Sequence, residues 1–257
     1  MTPPRLPDAL AMAVGTLTAW PVAPPTRVDA RVAGRAMLLA PLTQLPLLAL
    51  AGLGAGLWLA LGGPESVLAV LLLAATALST RAMHLDGLAD TADGLSSSYD
   101  RARALAVMKS SDVGPSGVCA LVLGLGVQGT ALAALAGDGS LALAAVALLT
   151  SRQVLAGACH RAVPPLPGSG LGRAVAGTVS TRQAVGSGAI LLLVSVPLAA
   201  AAGAWWAGPL VALAGWAAAA VTVGHAVRRL GGINGDVLGA AIEISLAVGL
   251  AAAALCA

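Results

Sequence analysis

Residues 84–95 read His-Leu-Asp-Gly-Leu-Ala-Asp-Thr-Ala-Asp-Gly-Leu and place three carboxylates within eight residues of a mostly apolar chain. Asp86, Asp90 and Asp93 follow at intervals of four and three residues, so an α-helix would carry all three on one face. These like charges repel one another, and Mg²⁺ would relieve the repulsion because it prefers carboxylate oxygens and leaves coordination places for phosphates. We call this stretch the Asp motif and predict a metal site there. The alternative is a solvated helix face near a membrane surface.

Composition assigns the chain to the membrane proteins. Of its 257 residues, 58% are hydrophobic and 10% are charged, whereas soluble domains carry about 25% charged residues. Several apolar runs approach or exceed the ~20 residues that cross a bilayer. We therefore predict an all-α, polytopic integral membrane helical bundle that forms a single domain (1–257). The three cysteines form no Cys-x-x-Cys pair and are interpreted as small buried hydrophobic residues.

The apolar runs predict seven transmembrane helices. Pro41 and Pro46 are expected to kink the first. The segment before it (1–33) is predicted to be cytoplasmic or interfacial, with a short helix from Ala9 to Trp20, because Trp favours the headgroup level. A signal peptide with Arg5 in its basic region is the alternative. The seven predicted spans are 36–61, 66–83, 114–136, 141–160, 184–203, 209–227 and 237–256.

The basic residues predict the orientation. Thirteen of the 14 lie in the N-terminal segment or in alternate loops, and the loops 62–65, 137–140 and 204–208 contain none. The positive-inside rule then places the N-terminus in the cytoplasm. It brings the Asp-motif loop (84–113), the Gly/Pro-rich loop (161–183) and the Gly-rich turn (228–236) to the same side. We expect a catalytic face on the cytoplasmic side of the inner (plasma) membrane.

Two cytoplasmic segments could bind phosphate. Residues 109–117 contain Lys109, the only lysine of the chain, and lead into a helix whose free N–H groups suit an anion. An ordinary capped helix start, with Pro115 near its first position, is the alternative. The Gly/Pro-rich loop carries Arg173, which could pair with phosphate, although a flexible linker would have the same composition.

The last span opens with Asp236 and carries Glu243 seven residues later on the same helix face. Asp236 suits a site carboxylate or a helix N-cap, and an intramembrane carboxylate such as Glu243 is typical of function. Arg152 is the one basic residue predicted inside a span. We expect Arg152 and Glu243 to face the bundle interior and either pair or meet at the floor of a substrate cavity. Alternatively, Arg152 extends alone to the surface.

Four segments of the chain resemble the cobalamin-5′-phosphate synthases, that is, the adenosylcobinamide-GDP ribazoletransferases. That family's pattern reads HxDGLADxxDG, then Lys/Arg-Asp-Ser-x-x-Gly-x-x-Gly, then Gly-Leu-Gly, then LGGxTGDxLGAxxE. The Asp motif, residues 109–117, 170–172 and 230–243 follow it in order over almost the whole length. Ser110 replaces the usual Asp, Asn234 replaces Thr, and Ala19 replaces an early Arg. The aromatic residue after Gly-Leu-Gly is missing, since the chain has no Phe.

The resemblance implies a Mg²⁺-dependent transferase. In it the 5′-hydroxyl of α-ribazole, or its 5′-phosphorylated form, attacks adenosylcobinamide-GDP, so that adenosylcobalamin or its 5′-phosphate forms and GMP leaves. Asp86, Asp90, Asp93 and Asp236 would be catalytic metal ligands, and one of them or His84 would act as the base. The expected partners are these two substrates and the lipid bilayer, without nucleic acid, and a homo-oligomer is left open. The expected substrate-binding residues are Lys109, Arg152, Arg173, Arg228, Gly231, Gly232 and Asn234.

Two other classes of protein remain as alternatives. Phospholipid head-group enzymes also use an Asp-rich metal face, but their pattern has an Arg soon after the first Asp-Gly, where this chain continues Leu-Ala-Asp. A metal transporter would use Arg152 and Glu243 to line a pathway. The carboxylates crowd one membrane face, however, and no inverted repeat is visible in the sequence.

Overall fold

The computed structural model describes residues 6–110, 112–168 and 170–257, so Arg5, Ser111 and Ser169 lie outside the described residues. The predicted all-α class is confirmed. The helices are α1 (Asp8–Leu17), α2 (Ala30–Leu39), α3 (Leu45–Ala60), α4 (Glu65–Ser79), α5 (Met83–Ser97), α6 (Arg101–Val107), α7 (Pro115–Gly137), α8 (Leu141–Ala158), α9 (Gly170–Val175), α10 (Thr181–Ala200), α11 (Ala207–Leu230) and α12 (Gly235–Cys256).

Six helical segments of the described chain are long and apolar enough to cross a membrane: α2 continued by α3, and α7, α8, α10, α11 and α12. Together α4 and α5 would form a seventh, but they are bent by 88° relative to each other. The prediction of an integral membrane bundle with about seven spans is therefore confirmed. The expected kink in the first span is a 3-10 turn (Ala40–Gln44) with Pro41 in its first turn, where the missing N–H of proline is tolerated.

The break between α4 and α5 sets the direction of the Asp motif. Arg81 and Ala82 have φ angles of 54° and 56°, a left-handed conformation that residues with a Cβ seldom adopt. The end of α1 braces this turn, because the Ala19 N–H donates to the Ser79 carbonyl at 2.7 Å. The Asp motif is therefore helical, as its spacing predicted, and lies nearly perpendicular to α4. The remainder of the expected loop at 84–113 contains α6.

The centre of the bundle consists of α8 and α12. Most of α8 is buried, and α12 packs against α5, α7, α8 and α11. A Cβ on Gly239 of α12 would lie 3.1 Å from the carbonyl oxygen of His84, and one on Gly249 would lie 3.2 Å from Cβ of Ala147. Small residues at helix contacts are typical of membrane bundles. Through them α12 holds α5 against the rest of the protein.

The predicted short helix before the first span is α1, which ends at Leu17 instead of Trp20. Its buried side chains include Ala11, Met12 and Ala13, and it packs against α2 and the 3-10 turn. Since Asp8 Oδ1 accepts the Thr26 N–H at 2.8 Å, the N-terminal segment folds back onto its own helix and forms part of the bundle.

Candidate active site

The crossing of α5 and α12 places Asp236 beside the Asp motif. A Cβ on Gly87 would lie 2.7 Å from the carbonyl oxygen of Asp236 and 2.9 Å from its Cα, so glycine is needed for this approach. Asn234 caps α12 by accepting the Val237 N–H at 3.0 Å, and its Nδ2 donates to Asp236 Oδ2 at 2.6 Å. Asp236 is therefore not the helix cap, and its carboxylate lies close enough to Asp86 to interact electrostatically.

Three carboxylates are accessible at this crossing and repel one another. Asp86 is exposed, whereas Asp90 and Asp236 are half-buried. On α5, which is not one of the six spanning segments, partial burial raises the pKa of Asp90 to about 6, with further contributions from the charges of Asp86, Asp236 and Asp93. A bound cation would reverse this repulsion, because its charge would dominate the local field.

Asp93 differs from these three because it is buried and both of its oxygens are hydrogen-bonded. Oδ2 accepts the Gly114 N–H at 2.6 Å, and Oδ1 accepts the Gly117 N–H at 2.8 Å. Gly114 is the N-cap of α7 and Pro115 is its first residue. The start of α7, where the sequence suggested a phosphate, is thus filled by a carboxylate of the protein itself.

The donor chemistry of the crossing fits Mg²⁺, although the side chains as placed do not enclose an ion. In the described part of the chain, no three His, Cys, Asp or Glu side chains are grouped so that they could hold a metal. Asp86, Asp90 and Asp236 nevertheless offer the hard oxygen ligands that Mg²⁺ prefers, and they approach from two helices.

A second group of polar side chains is buried in the bundle. Arg152 is 0% exposed and Glu243 is 5% exposed, which confirms that both face the interior and excludes an arginine that extends to the surface. Glu243 Oε2 accepts from Gln128 Nε2 at 2.9 Å, and Arg152 Nη1 donates to Ser151 Oγ at 2.7 Å. Among the described residues, the Nε and Nη2 atoms of Arg152 have no hydrogen-bond partner.

Arg152 and Glu243 do not form a direct ion pair. Within the described residues, no nitrogen of Arg152 lies within 4.0 Å of a Glu243 oxygen, and the ion pair present is Arg27 with Asp29. Since both charges are buried, we expect them to act on each other, and Arg152 to act on the nearby His84. His84 is 2% exposed, and in the described part of the chain neither of its ring nitrogens has a hydrogen-bond partner. Its side chain is therefore buried rather than accessible like the Asp86 carboxylate.

Two of the expected phosphate-binding segments meet. Lys109 Nζ lies 3.8 Å from the position of a Cβ on Gly168, so residues 109–117 and the Gly/Pro-rich loop are neighbours. Lys109, Arg173 and Arg228 are exposed, as an anion site requires.

The two glycines predicted to bind substrate have a clear conformational role. Gly231 ends α11 with a φ of 87°, which glycine adopts without strain. A Cβ on Gly232 would lie 2.6 Å from the Pro164 carbonyl oxygen. The Ile233 N–H donates to that oxygen at 2.9 Å, and the Ile233 carbonyl oxygen accepts the Leu166 N–H at 2.8 Å. This turn therefore attaches the Gly/Pro-rich loop to the start of α12.

Sequence reasoning missed two residues in this region. Arg229 Nη2 donates to the Ser98 carbonyl at 2.9 Å, and its guanidinium lies 4.3 Å from the centre of the Tyr99 ring, so it ties α11 to the end of α5. Gln128 is the partner of Glu243. The sequence feature that could have identified Gln128 is its position as a lone amide inside an apolar span, where a polar group needs a partner.

An apolar groove of about 900 Å³ lies between α8, α10 and α11. Small residues such as Gly157, Gly188 and Ala220 line it, together with Trp216. Arg228 is the charged residue in its lining. The volume is near the upper end for a small-molecule site.

Comparisons with known proteins match nearly the whole chain. The family model described as Cobalamin-5-phosphate synthase matches residues 9–254. A protein of Nocardioides sp. named adenosylcobinamide-GDP ribazoletransferase is 48% identical over 247 residues, which cover 95% of this chain and 97% of the relative. Proteins of the same name from Frankia casuarinae and Pseudomonas putida are 40% and 36% identical and are aligned over 90% and 92% of their lengths, in each case with 91% of this chain. No solved structure matches the chain.

Proposed function

The chain belongs to the cobalamin-5-phosphate synthase family, and we propose that it joins adenosylcobinamide-GDP to α-ribazole or α-ribazole 5′-phosphate. A ribose hydroxyl forms a bond to the phosphorus on the cobinamide side, the pyrophosphate P–O bond breaks, and GMP leaves. The attacking hydroxyl is not the 5′-hydroxyl expected from the sequence, because the phosphorylated substrate keeps its 5′-phosphate in the product. The hydroxyl proton passes to a base.

The observation that carries this proposal is the accessible carboxylate cluster at the α5–α12 crossing. Asp86, Asp90 and Asp236 would hold Mg²⁺, which would neutralise charge on the pyrophosphate. Partial burial, followed by the charges of the neighbouring aspartates, raises the pKa of Asp90 to about 6 in the metal-free protein, which supports a role for a cation at this cluster. A carboxylate of this cluster is a better candidate base than the buried His84, since a base must reach the hydroxyl. Lys109 and Arg173 are exposed cations suited to the departing GMP.

The groove between α8, α10 and α11 is the proposed seat of the corrin ring. A corrin is large, flat and mostly apolar at its edge, and the groove offers apolar walls with small residues. Arg228 in the lining carries a positive charge suited to a phosphate attached to the ring. This arrangement would explain why the enzyme is built within a membrane.

We also propose that the reaction takes place on the cytoplasmic face of the inner membrane. Support comes from the Arg and Lys distribution, because the loops on the side of the Asp motif carry the basic residues. The family match does not favour either a phospholipid head-group enzyme or a metal transporter.

The decisive experiment is turnover by purified protein in detergent. Adenosylcobinamide-GDP, α-ribazole and Mg²⁺ should give equal amounts of GMP and adenosylcobalamin, and EDTA or omission of α-ribazole should prevent both. Asp86→Asn is the inactive control, and Asp138→Asn, on an exposed loop at the other end of α7, is its matched active control. GMP release without formation of a cobalamin product would contradict the transfer reaction.

A further inference from the structure

We propose that Asp93 is a positioning residue that fixes the start of α7, and that the metal is held by Asp86, Asp90 and Asp236 without it. The inference rests on the proposed function and divides the four aspartates into two roles. Sequence spacing treats the three aspartates of α5 as equivalent, because all lie on one helical face. The structure separates them by burial and by hydrogen-bond partners.

The hydrogen bonds of Asp93 complete the first turn of another helix. In a capping box, one side chain accepts the N–H of the third helical residue and a second accepts the N–H of the N-cap residue. Here Gly117 is the third residue of α7 and Gly114 is its N-cap, and Asp93 accepts from both. α7 itself supplies neither of the two accepting groups, because its N-cap residue is a glycine without a side chain. Pro115, between them, has no N–H to satisfy.

The positive end of the α7 dipole accounts for the buried charge of Asp93. A carboxylate near a helix N-terminus is stabilised by the unpaired N–H groups there. With both oxygens occupied by N–H donors at 2.6 and 2.8 Å, the charge of Asp93 is compensated within the protein. Among the described residues, no hydrogen-bond donor contacts the carboxylates of Asp86 and Asp90. Their charges are therefore available to bind a cation.

The glycines of residues 109–117 have a structural reason in this contact. A Cβ on Gly114 would lie 2.5 Å from Asp93 Oδ1, and a Cβ on Gly117 would collide with Oδ2. A Cβ on the next residue of α5, Gly94, would collide with the side chain of Met108. Two consecutive residues of α5 therefore clamp both ends of the segment that connects α6 to α7.

The clamped segment carries Lys109, whose Nζ lies near Gly168 of the Gly/Pro-rich loop. Asp93 thus determines where Lys109 lies relative to the carboxylates that would hold the metal. Loss of the contact should change the binding of the charged nucleotide through Lys109, while the metal ligands on the other turns of α5 keep their places. We therefore expect an effect on KM for adenosylcobinamide-GDP rather than on the Mg²⁺ requirement.

The test is a Mg²⁺ titration of the purified protein in which Tm is measured at each Mg²⁺ concentration, so it needs no turnover. A cation that binds the folded state raises Tm according to its concentration relative to Kd, so a fit of Tm against Mg²⁺ concentration gives the apparent Kd, which is called the Mg²⁺ midpoint below. Asp86→Asn and Asp90→Asn should raise this Mg²⁺ midpoint by about tenfold or more. Asp93→Asn should keep the wild-type midpoint and lower Tm by about 2–4 °C at every Mg²⁺ concentration, as expected for a lost cap. Asp138→Asn should change neither quantity.

Gly117→Ala gives a second, independent perturbation that leaves all four carboxylates in the chain. Its Cβ displaces Asp93 from α7, so it should reproduce the raised KM of Asp93→Asn and keep the Mg²⁺ midpoint. If Asp93→Asn does not fold, the Gly117→Ala variant alone tests whether Asp93 is separate from the metal site. A midpoint shift of tenfold in either variant would overturn the inference and leave the proposed reaction intact. If wild-type protein shows no Mg²⁺ response, the metal assignment of the proposed function fails, and the division of roles fails with it.

Discussion

Replacement of Arg152 or Glu243 tests whether their charges are coupled inside the bundle. Both side chains are almost fully buried, and two nitrogen atoms of Arg152 have no hydrogen-bond partner within residues 6–110, 112–168 and 170–257. Removal of one charge leaves the other uncompensated, which costs about 3–5 kcal/mol for buried pairs in contact. Because the two are not in direct contact here, we expect the lower end, about 3 kcal/mol, for the charge contribution to each of Arg152→Ala and Glu243→Ala.

The coupling appears in the double variant. With both charges removed, the penalty of the uncompensated partner disappears, so the loss should be about 2 kcal/mol smaller than the sum of the two single losses. Gln128 still needs a partner when Glu243 is shortened, which adds about 1–3 kcal/mol to both Glu243 variants and cancels in the cycle. The measurement is the free energy of unfolding in detergent, followed by tryptophan fluorescence from the five Trp residues.

Gln153→Ala provides the matched control cycle. Gln153 follows Arg152 on α8 and is also buried, but it donates to Ser187 at 3.0 Å and lines the apolar groove. Paired with Glu243→Ala, its effect should be additive to within about 0.5 kcal/mol. Additivity of the Arg152 and Glu243 losses to the same precision would show that the two charges do not interact, and would refute the reasoning.

Three further predictions concern the carboxylates, the membrane orientation and the groove. Asp90 has a raised folded-state pKa of about 6 against an ordinary value of 3.8, so the folded state binds more protons than the unfolded state between these values. The metal-free protein should therefore lose stability as pH rises from about 4 to 6, and Asp90→Asn or saturating Mg²⁺ should remove this part of the Tm profile; an unchanged profile would contradict the repulsion. In a variant whose three cysteines are replaced by Ala, Asp138→Cys should react with an impermeant thiol reagent from outside the cell and Ser97→Cys should not, and the reverse pattern would overturn the orientation. Ala220→Trp fills the groove and should raise KM for adenosylcobinamide-GDP with the Mg²⁺ midpoint unchanged, whereas Ala217→Trp, exposed on the same helix, should have little effect; equal kinetics of both variants would exclude the groove as the corrin site.

The sequence by itself determined the class of fold and the region of the site. Long apolar runs need intrahelical hydrogen bonds in a bilayer, so composition alone predicts the helices and most of their bounds. The spacing of Asp86, Asp90 and Asp93 predicts one helical face, and the burial of Arg152 and Glu243 follows from the cost of exposing them to lipid. The order of the motifs was enough to indicate the family.

Only the tertiary structure decided which aspartates lie together and accessible at one helix crossing. Helical periodicity places Asp93 with Asp86 and Asp90, but it contains no information on which other helix each turn of α5 meets. α12 crosses at Gly87 and adds Asp236 to the accessible cluster, whereas α7 begins beside Asp93 and takes both of its oxygens. The turn at Arg81 and Ala82 could not be predicted from the sequence either, because two non-glycine residues give no indication of a left-handed conformation. Such contacts join residues far apart in the chain, and packing between helices, not local pattern, selects them.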